Sequence, residues 1–221
     1  MPGPHGTYRL LEPGTDGAPL VVLNTFPGEG DGVLRALQAL TTRPFALAEV
    51  AVADWNGDLT PWPAPGVGHG EPPFAGGAEA HLTWLVDEVL PALTAQLGAP
   101  PAYVGLAGYS LAGLFAAWAP FRTAAFSRVA CASGSLWYPG FTEFVQGTAP
   151  ATTPVRAAFS LGDTEAKTRH PLMRTVADAT EQVVSRYRQL GCATAFAWNP
   201  GNHFREPEMR MARAIAAMLE D

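Results

Sequence analysis

Short apolar runs alternate along this chain with longer segments in which apolar residues recur at helical spacing. The runs are too short for helices and end at Gly, Pro or polar residues, so they predict buried strands over Tyr8–Glu12, Leu20–Phe26, Ala48–Ala53, Ala102–Ala107, Arg128–Ala132, Arg156–Leu161 and Thr194–Trp198. The helical spacing predicts helices over Gly77–Leu97, Leu111–Ala119, Pro171–Leu190 and Pro207–Leu219. This alternation indicates an α/β fold with a mostly parallel sheet and helices on both faces.

Local signals refine two parts of this pattern. Pro171 suits the first turn of its helix, and Gly191 suits the position just past the end. Between Trp55 and Phe74 the chain is rich in proline and glycine and shows no periodicity. Long connections of this kind in compact domains are usually functional loops. We therefore expect Trp55 and Trp62 to line the rim of a ligand pocket, with simple packing of the two rings as the alternative.

The run Ala102–Ala107 leads directly into Gly108-Tyr109-Ser110-Leu111-Ala112-Gly113, which has the form of a nucleophile elbow. In such an elbow a strand turns sharply into a helix, and the strained backbone at the apex lifts a serine hydroxyl clear of the sheet. Gly108 and Ala112 are small enough for this turn, although the usual pattern has glycine in place of Ala112. The alternative is a serine that only caps the following helix. Ser110 is therefore a candidate nucleophile.

Acidic residues and a histidine follow Ser110 in the chain order that such sites use, which is serine, acid, histidine. Asp163 and Glu165 come after one predicted strand, and His203 comes after the next. The carboxyl ends of parallel strands share one edge of the sheet, where ligands bind in open α/β folds. The other histidines lie in the N-terminal tail, in the proline-rich loop or in and next to helical segments, at His5, His69, His81 and His170. His203 is therefore the candidate general base.

These motifs, in this order, resemble the esterase branch of the α/β-hydrolases that contains the enterochelin (ferric siderophore) esterases. The resemblance spans most of the chain and is carried by Asp58-Leu59-Thr60-Pro61, Gly76-Gly77-Ala78-Glu79, the elbow, Ser133-Gly134-Ser135-Leu136-Trp137, Leu161-Gly162-Asp163-Thr164-Glu165 and Pro200-Gly201-Asn202-His203. It implies an α/β-hydrolase fold without a large lid domain. It does not fix the substrate, because this branch includes siderophore, carbohydrate, feruloyl and thioester hydrolases as well as acyltransferases.

The same resemblance implies the roles of several residues. The acid usually stands three residues past the glycine that ends its strand, which favours Glu165, with Asp163 as the alternative. No metal and no organic cofactor is needed for this chemistry, and the Asn-rich and Gly-rich loops do not supply the ligand clusters of a metal site.

Backbone amides are the usual donors to the charge that builds on a carbonyl oxygen during acyl transfer. We expect one from Leu111, directly after the serine, and a second from Asn24-Thr25-Phe26, after the strand that begins at Leu20, with Phe26 favoured. Trp137 and Tyr138 are expected by resemblance to contact the acyl or leaving group, with core packing as the alternative.

Composition limits the partners and the location. A chain of 221 residues can bury one α/β core, so we expect a single domain over residues 1–221. There are 20 Asp plus Glu against 14 Lys plus Arg, which leaves no electrostatic footprint for nucleic acid or an anionic membrane. Without a leader pattern or a membrane-length apolar run, we expect a cytoplasmic location. Cys131 and Cys192 lie in apolar surroundings without metal-like spacing and are expected to be buried free thiols.

The sequence thus predicts a serine hydrolase that cleaves a carboxylic ester or related acyl bond of a small molecule. Ser110 would form the acyl-enzyme, with His203 as general acid and base and Glu165 orienting the imidazole. An acyltransferase on the same scaffold is the alternative, and a non-catalytic binding module is a third possibility. The sequence does not indicate an oligomeric state.

A siderophore-like ester is the substrate that the resemblance suggests. A ferric trilactone siderophore is an anion, however, and the chain has a formal net charge of −6. The sequence shows no basic cluster to receive an anion, and it leaves open whether Arg122, Arg128 and Arg205 converge in space.

Overall fold

The centre of the fold is an eight-stranded sheet, seen in a computed structural model that describes residues 2–68 and 70–220. Its strands are β1 (Pro2–Gly3), β2 (Gly6–Glu12), β3 (Leu20–Thr25), β4 (Ala46–Val52), β5 (Val104–Tyr109), β6 (Arg128–Ala132), β7 (Arg156–Gly162) and β8 (Ala193–Asn199). They lie in the order β1-β2-β4-β3-β5-β6-β7-β8. From β4 to β8 all neighbours are parallel, whereas β1 and β2 add to one edge in antiparallel orientation.

The helices are α1 (Gly30–Leu40), α2 (Trp55–Asp58), α3 (Ala78–Trp84), α4 (Leu90–Thr94), α5 (Leu111–Trp118), α6 (Phe141–Gly147), α7 (Val176–Gln189) and α8 (Pro207–Leu219). A π-helical segment, Leu85–Val89, connects α3 to α4, and short 3₁₀ turns cover Ala119–Phe121 and Met173–Thr175. None of the helices in the described residues is long and apolar enough to cross a membrane.

Both faces of the central part of the sheet are buried. In β3, Leu20 and Val22 belong to one hydrophobic cluster, whereas Val21 and Leu23 belong to another on the opposite face. The second cluster also contains apolar residues of α1 and α8, and the first contains those of α5 and α7. The alternation follows from the two-residue period of a strand, which sends successive side chains to opposite faces. Helices on both faces of a mostly parallel sheet confirm the predicted fold class.

The predicted strands are all present with ends shifted by a few residues, but the helix prediction needs correction. The helices α1 and α6 were not predicted. The helix predicted from Pro171 begins instead at Val176, because the residues before it form the 3₁₀ turn Met173–Thr175. The amide of Met173, at the start of this turn, donates a hydrogen bond to Nδ1 of His170. Gly191 has a φ of 87° just past α7, which is the position predicted for it.

The proline-rich segment from Trp55 to Phe74 is more ordered than the sequence indicated. It begins with α2 and closes with an antiparallel bridge between Ala64 and Phe74. Thr60, fully buried, accepts a hydrogen bond from the amide of Gly76 and so ties the segment to the start of α3. His69 lies outside the described residues.

Candidate active site

Ser110 stands at a sharp turn between β5 and α5. Its φ of 58° lies in the left-handed region, which is strained for a residue with a side chain. The turn also needs small neighbours: a Cβ on Gly108 would lie 2.2 Å from the carbonyl oxygen of Ala112, and one on Gly113 would lie 2.9 Å from Cα of Gly134. This is the strand-turn-helix geometry of a nucleophile elbow, and it holds the serine hydroxyl at the carboxyl edge of the sheet.

A hydrogen-bonded chain runs from Ser110 through His203 to Glu165. Nε2 of His203 lies 3.1 Å from Oγ of Ser110, and Nδ1 lies 2.7 Å from Oε2 of Glu165. Asp163, the other acid that the sequence offered, accepts a hydrogen bond of 2.7 Å from the amide of Gly201 and ties down the loop that carries His203. Glu165, rather than Asp163, is the carboxylate placed against the imidazole.

Several donors hold Glu165 in place. Its Oε1 accepts hydrogen bonds from the amide of Gly162 at 2.7 Å, from Oγ of Ser133 at 2.7 Å and from the guanidinium of Arg210 at 3.1 Å. Burial alone would raise the pKa of Glu165, but the hydrogen bonds from His203 and Ser133 outweigh it, and the pKa is lowered. The ionised carboxylate therefore accepts the Nδ1–H of His203, which leaves Nε2 free to accept the proton of a serine hydroxyl.

Arg210 and Tyr109 support this chain, and sequence reasoning missed both. The side chain of Arg210 is 1% exposed, and it also donates a hydrogen bond of 2.8 Å to the carbonyl oxygen of Pro200. The Tyr109 hydroxyl donates one of 2.7 Å to the carbonyl oxygen of His203. A signal for Arg210 did exist, because a charged residue on the apolar stripe of a helix needs a buried partner. The buried stripe of α8 that contains Arg210 also includes Met211, Ala214, Ile215 and Met218.

A cavity of about 740 Å³, here called the larger cavity, opens beside Ser110 and His203. Its volume is in the range of small-molecule sites. Its wall is mostly apolar and includes the rings of Phe26 and Trp55, which stack with their centroids 4.0 Å apart. The charged side chains on this wall, among the described residues, are those of Glu29, Glu206 and Glu208, with no Lys or Arg. The larger cavity therefore suits a mostly apolar ligand that has either no charge or a positive charge.

A second space of about 240 Å³, here called the smaller cavity, shares Ser110 and His203 with the larger one. Trp137 and Lys167 line it, as does Ser135, whose Oγ lies 3.3 Å from Oγ of Ser110. A carbonyl group at Ser110 would therefore have the larger cavity, with Trp55, on one side and the smaller cavity, with Trp137, on the other.

Trp62 and Tyr138, which were expected to contact a ligand, line neither cavity. The Trp62 indole donates a hydrogen bond of 2.8 Å to the carbonyl oxygen of Pro139, and the Tyr138 hydroxyl donates one to the carbonyl oxygen of Trp62. Tyr138 is buried, and its ring packs against those of Trp62 and Phe74. Hydrogen bonding and ring packing within the protein account for the placement of both side chains.

The sequence left open whether Arg122, Arg128 and Arg205 converge in space, and they do not converge on the site. Arg122 forms an ion pair of 2.8 Å with Glu79, and Arg128 donates a hydrogen bond of 2.8 Å to the carbonyl oxygen of Met218. Neither of them, nor Arg205, lines the larger or the smaller cavity. The described residues therefore provide no arginine cluster that could receive an anionic substrate.

The two residues expected to supply oxyanion donors lie near Ser110 in the fold. Leu111 is the first residue of α5, where a backbone N–H has no acceptor within its own helix. Phe26 follows β3 directly, and its side chain lines the larger cavity.

Cys131 and Cys192 are buried free thiols, as predicted. Burial raises the pKa of Cys131 to about 12 and also raises the pKa of Cys192. A thiol with a raised pKa forms little thiolate at neutral pH, so neither cysteine is a candidate nucleophile.

No protein-family model matches the sequence, and no curated protein matches it. Solved structures do match. The siderophore hydrolase EstA from Aspergillus nidulans is 19% identical, over 90% of this chain and 82% of its own, with a TM-score of 0.67. Enterobactin hydrolase IroE in complex with DFP is 16% identical, over 100% of this chain and 98% of its own, with a TM-score of 0.68. The enterobactin esterase Fes from Shigella flexneri is 16% identical, over 98% of this chain and 60% of its own, with a TM-score of 0.68.

At such low sequence identity these similarities indicate the fold of the chain but not its substrate. The chain has the α/β-hydrolase fold that the sequence predicted, in the form found in siderophore hydrolases and esterases.

Proposed function

We propose that this protein is an esterase-type serine hydrolase that cleaves a carboxylic ester, or a related acyl bond, of a small molecule. The observation that carries the proposal is the chain of hydrogen bonds from Ser110 to His203 to Glu165, with distances of 3.1 and 2.7 Å. Both distances are within the reach that a general base and its orienting acid need. The structural neighbours support it, because their names describe hydrolases and esterases.

The reaction follows from this geometry. Nε2 of His203 accepts the hydroxyl proton of Ser110 while Oγ forms a bond to the carbonyl carbon of the ester. The imidazolium then gives this proton to the leaving alcohol oxygen as the ester C–O bond breaks, which leaves an acyl group on Ser110. Water then attacks the acyl carbon and gives a proton to His203. The bond between that carbon and Oγ breaks, Oγ takes the proton back from the imidazolium, and the acid is released. Glu165 keeps Nδ1 protonated and stabilises the positive charge on the ring.

The negative charge that forms on the carbonyl oxygen is proposed to be held by the amides of Leu111 and Phe26. The N–H at the start of α5, which has no hydrogen-bond acceptor within its helix, carries the partial positive charge of a helix N-terminus. Donors of this kind are worth about 3–4 kcal/mol each to the transition state.

The walls of the larger cavity favour a neutral or cationic ester with an apolar group. Glu29, Glu206 and Glu208 repel an anion, and the described residues place no Lys or Arg on this wall to offset them. The names of the structural neighbours favour a siderophore ester as the second candidate. The two candidate substrate classes thus differ in charge, which an experiment can use to distinguish them.

An acyltransferase remains the rival on the same site. The smaller cavity would then hold an acceptor alcohol in place of water. Products formed in the presence of competing small alcohols separate the two activities: a hydrolase releases mainly acid, whereas a transferase gives mainly the new ester. A purely binding protein is disfavoured, because the arrangement of Ser110, His203 and Glu165 is complete.

The first test is the intact-protein mass after exposure to a fluorophosphonate probe, which reacts only with an activated serine. We expect a single adduct on Ser110 that is absent from Ser110→Ala and strongly reduced in His203→Ala. The matched controls are Ser135→Ala, whose hydroxyl lies 3.3 Å from that of Ser110, and His170→Ala, whose ring contacts the turn before α7. Both controls should still form the adduct. A folded protein without an adduct, or an adduct on Ser135, would refute the proposal.

The second test compares kcat/KM for a set of esters that share one acyl group and carry neutral, cationic or anionic alcohols. We expect the neutral and cationic esters to exceed the anionic ester by at least about 10-fold at low salt, with the difference shrinking as salt screens the glutamates. Faster cleavage of a ferric siderophore than of any neutral ester would favour the second candidate.

A further inference from the structure

A second group of chemically active side chains lies apart from Ser110. His5, Asp58 and His81 each offer one ligand atom, and these atoms all lie within 4.8 Å of one another. His5 lies in the turn between β1 and β2, Asp58 ends α2, and His81 lies in α3. Residues distant in sequence are therefore brought to one point, and the proposed esterase reaction uses none of them.

The burial of these side chains differs in a way that matters for a ligand. His81 is fully buried, whereas the side chains of His5 and Asp58 are 21% and 13% exposed. Nδ1 of His5 lies 2.8 Å from Oδ1 of Asp58. The cluster thus has a closed inner side at His81 and an outer side that a small ion can reach from solvent.

His81 has one nitrogen in use and one without a partner. Its Nε2 lies 2.8 Å from Oδ1 of Asn24, whereas its Nδ1 is buried and forms no hydrogen bond to any described residue. An amide oxygen accepts but does not donate, so Nε2 carries the proton and the lone pair is on Nδ1. A buried lone pair without a partner is costly unless something binds it.

We propose that His5, Asp58 and His81 form a binding site for one divalent ion of the zinc class, separate from the proposed catalytic residues. Two imidazoles and one carboxylate are a ligand set that zinc and related ions accept, with a remaining position for water. Around a tetrahedral Zn²⁺ with bonds of about 2.0–2.1 Å, ligand atoms are about 3.3 Å apart. The cluster reaches this spacing if the ion separates His5 from Asp58 slightly and draws both toward His81.

The hydrogen bond from His81 to Asn24 matches what metal-bound histidines need. A ligating imidazole usually donates its other N–H to a fixed oxygen, which sets the tautomer and the direction of the lone pair. Asn24 also lines the larger cavity. An ion at this site therefore steadies one wall of that cavity through a single side chain.

The test is a calorimetric titration of the full chain, first stripped with a chelator, with Zn²⁺ alone, followed by the visible spectrum of the Co²⁺ form. We expect one ion per chain and a tetrahedral Co²⁺ spectrum. His5→Gln and Asp58→Asn should each weaken Zn²⁺ binding by at least about 100-fold, since even the loss of an outer partner of a ligand costs about 10–100-fold.

The controls are His170→Gln, which makes the same change at a distant histidine, and His203→Ala, which removes the proposed catalytic base. Both should bind Zn²⁺ as the unmodified chain does, and the second separates this site from the proposed esterase. Zn²⁺ should raise the unfolding temperature of the unmodified chain but not that of His5→Gln. No binding, or equal binding by His5→Gln and the unmodified chain, would overturn the proposal; His5→Gln decides alone if Asp58→Asn does not fold.

Discussion

Arg210→Met is expected to destabilise the protein strongly, although the residue touches no proposed reacting atom. The side chains of Arg210 and Glu165 are 1% and 3% exposed, and the pair is 3.1 Å apart. Removing one partner of a buried ion pair costs about 3–5 kcal/mol, because the remaining charge loses its partner but stays out of water. For a domain of this size each kcal/mol lowers the unfolding temperature by about 2–4 °C, so we expect a fall of roughly 10 °C.

The assay is thermal unfolding followed by circular dichroism, with Arg213→Met as the matched control. Arg213 lies one turn further along α8 and is exposed, so its loss should change stability by no more than about 0.5 kcal/mol. The double variant Glu165→Leu, Arg210→Met should be less destabilised than the sum of the single variants, because it leaves no unpaired buried charge. An unfolding temperature for Arg210→Met within about 2 °C of the unmodified chain would refute the reasoning.

The remaining predictions concern the acid, the elbow and the thiols. Glu165→Gln should lower kcat/KM by about 10³–10⁴-fold, because it takes away the anion that holds the imidazole. Asp163→Asn should lower kcat/KM by less than about 10-fold. Steady-state assays that give similar losses for the two variants would contradict the assignment of Glu165 as the acid. Because the pKa of Glu165 is lower in the folded protein than in the unfolded chain, its ionised carboxylate stabilises the fold above the ordinary carboxyl pKa. This stabilisation is lost as the pH falls through the pKa of the folded state. The difference in unfolding temperature between the unmodified chain and Glu165→Gln should therefore narrow from pH 7 toward about pH 3. Gly108→Ala should destabilise the protein by several °C and reduce probe labelling, because its Cβ would lie 2.2 Å from the Ala112 carbonyl oxygen; unchanged melting and labelling would show that the turn has room. Cys131 should resist a thiol reagent until the protein is unfolded, as followed by intact mass, since burial raises its pKa to about 12; rapid labelling of the native protein would contradict its burial.

Features that depend on neighbouring residues could be predicted from the sequence. The inner strands β3, β4, β6 and β7 are buried on both faces and therefore stand out as continuous, mostly apolar runs. The elbow is also local, because the tight turn at Ser110 requires small residues within two or three positions of it. The placement of His203 followed from topology, since parallel strands end at one edge of the sheet.

Features that depend on distant residues could not be predicted. The first turn of α1 contains Gly30 and Gly32, which weaken the helical signal, and no side chain near its start caps it. Its start is held instead by Glu49 of β4, which is 2% exposed and accepts hydrogen bonds from the amides of Gly28 and Gly30. Nothing in the local pattern around α1 shows that a carboxylate from another strand completes it.

The same distinction applies to the substrate. Similarity of fold at 14–19% identity describes the arrangement of the chain and leaves the substrate open. Selectivity depends on the side chains that project over the carboxyl edge of the sheet, and Glu206 and Glu208 belong to the loop and helix start that directly follow His203. Replacing Glu206 or Glu208 by a neutral residue would alter the charge of the larger cavity without removing any of the bonds between Ser110, His203 and Glu165. The charge of that wall is therefore stronger evidence on the substrate than the names of proteins that share the fold.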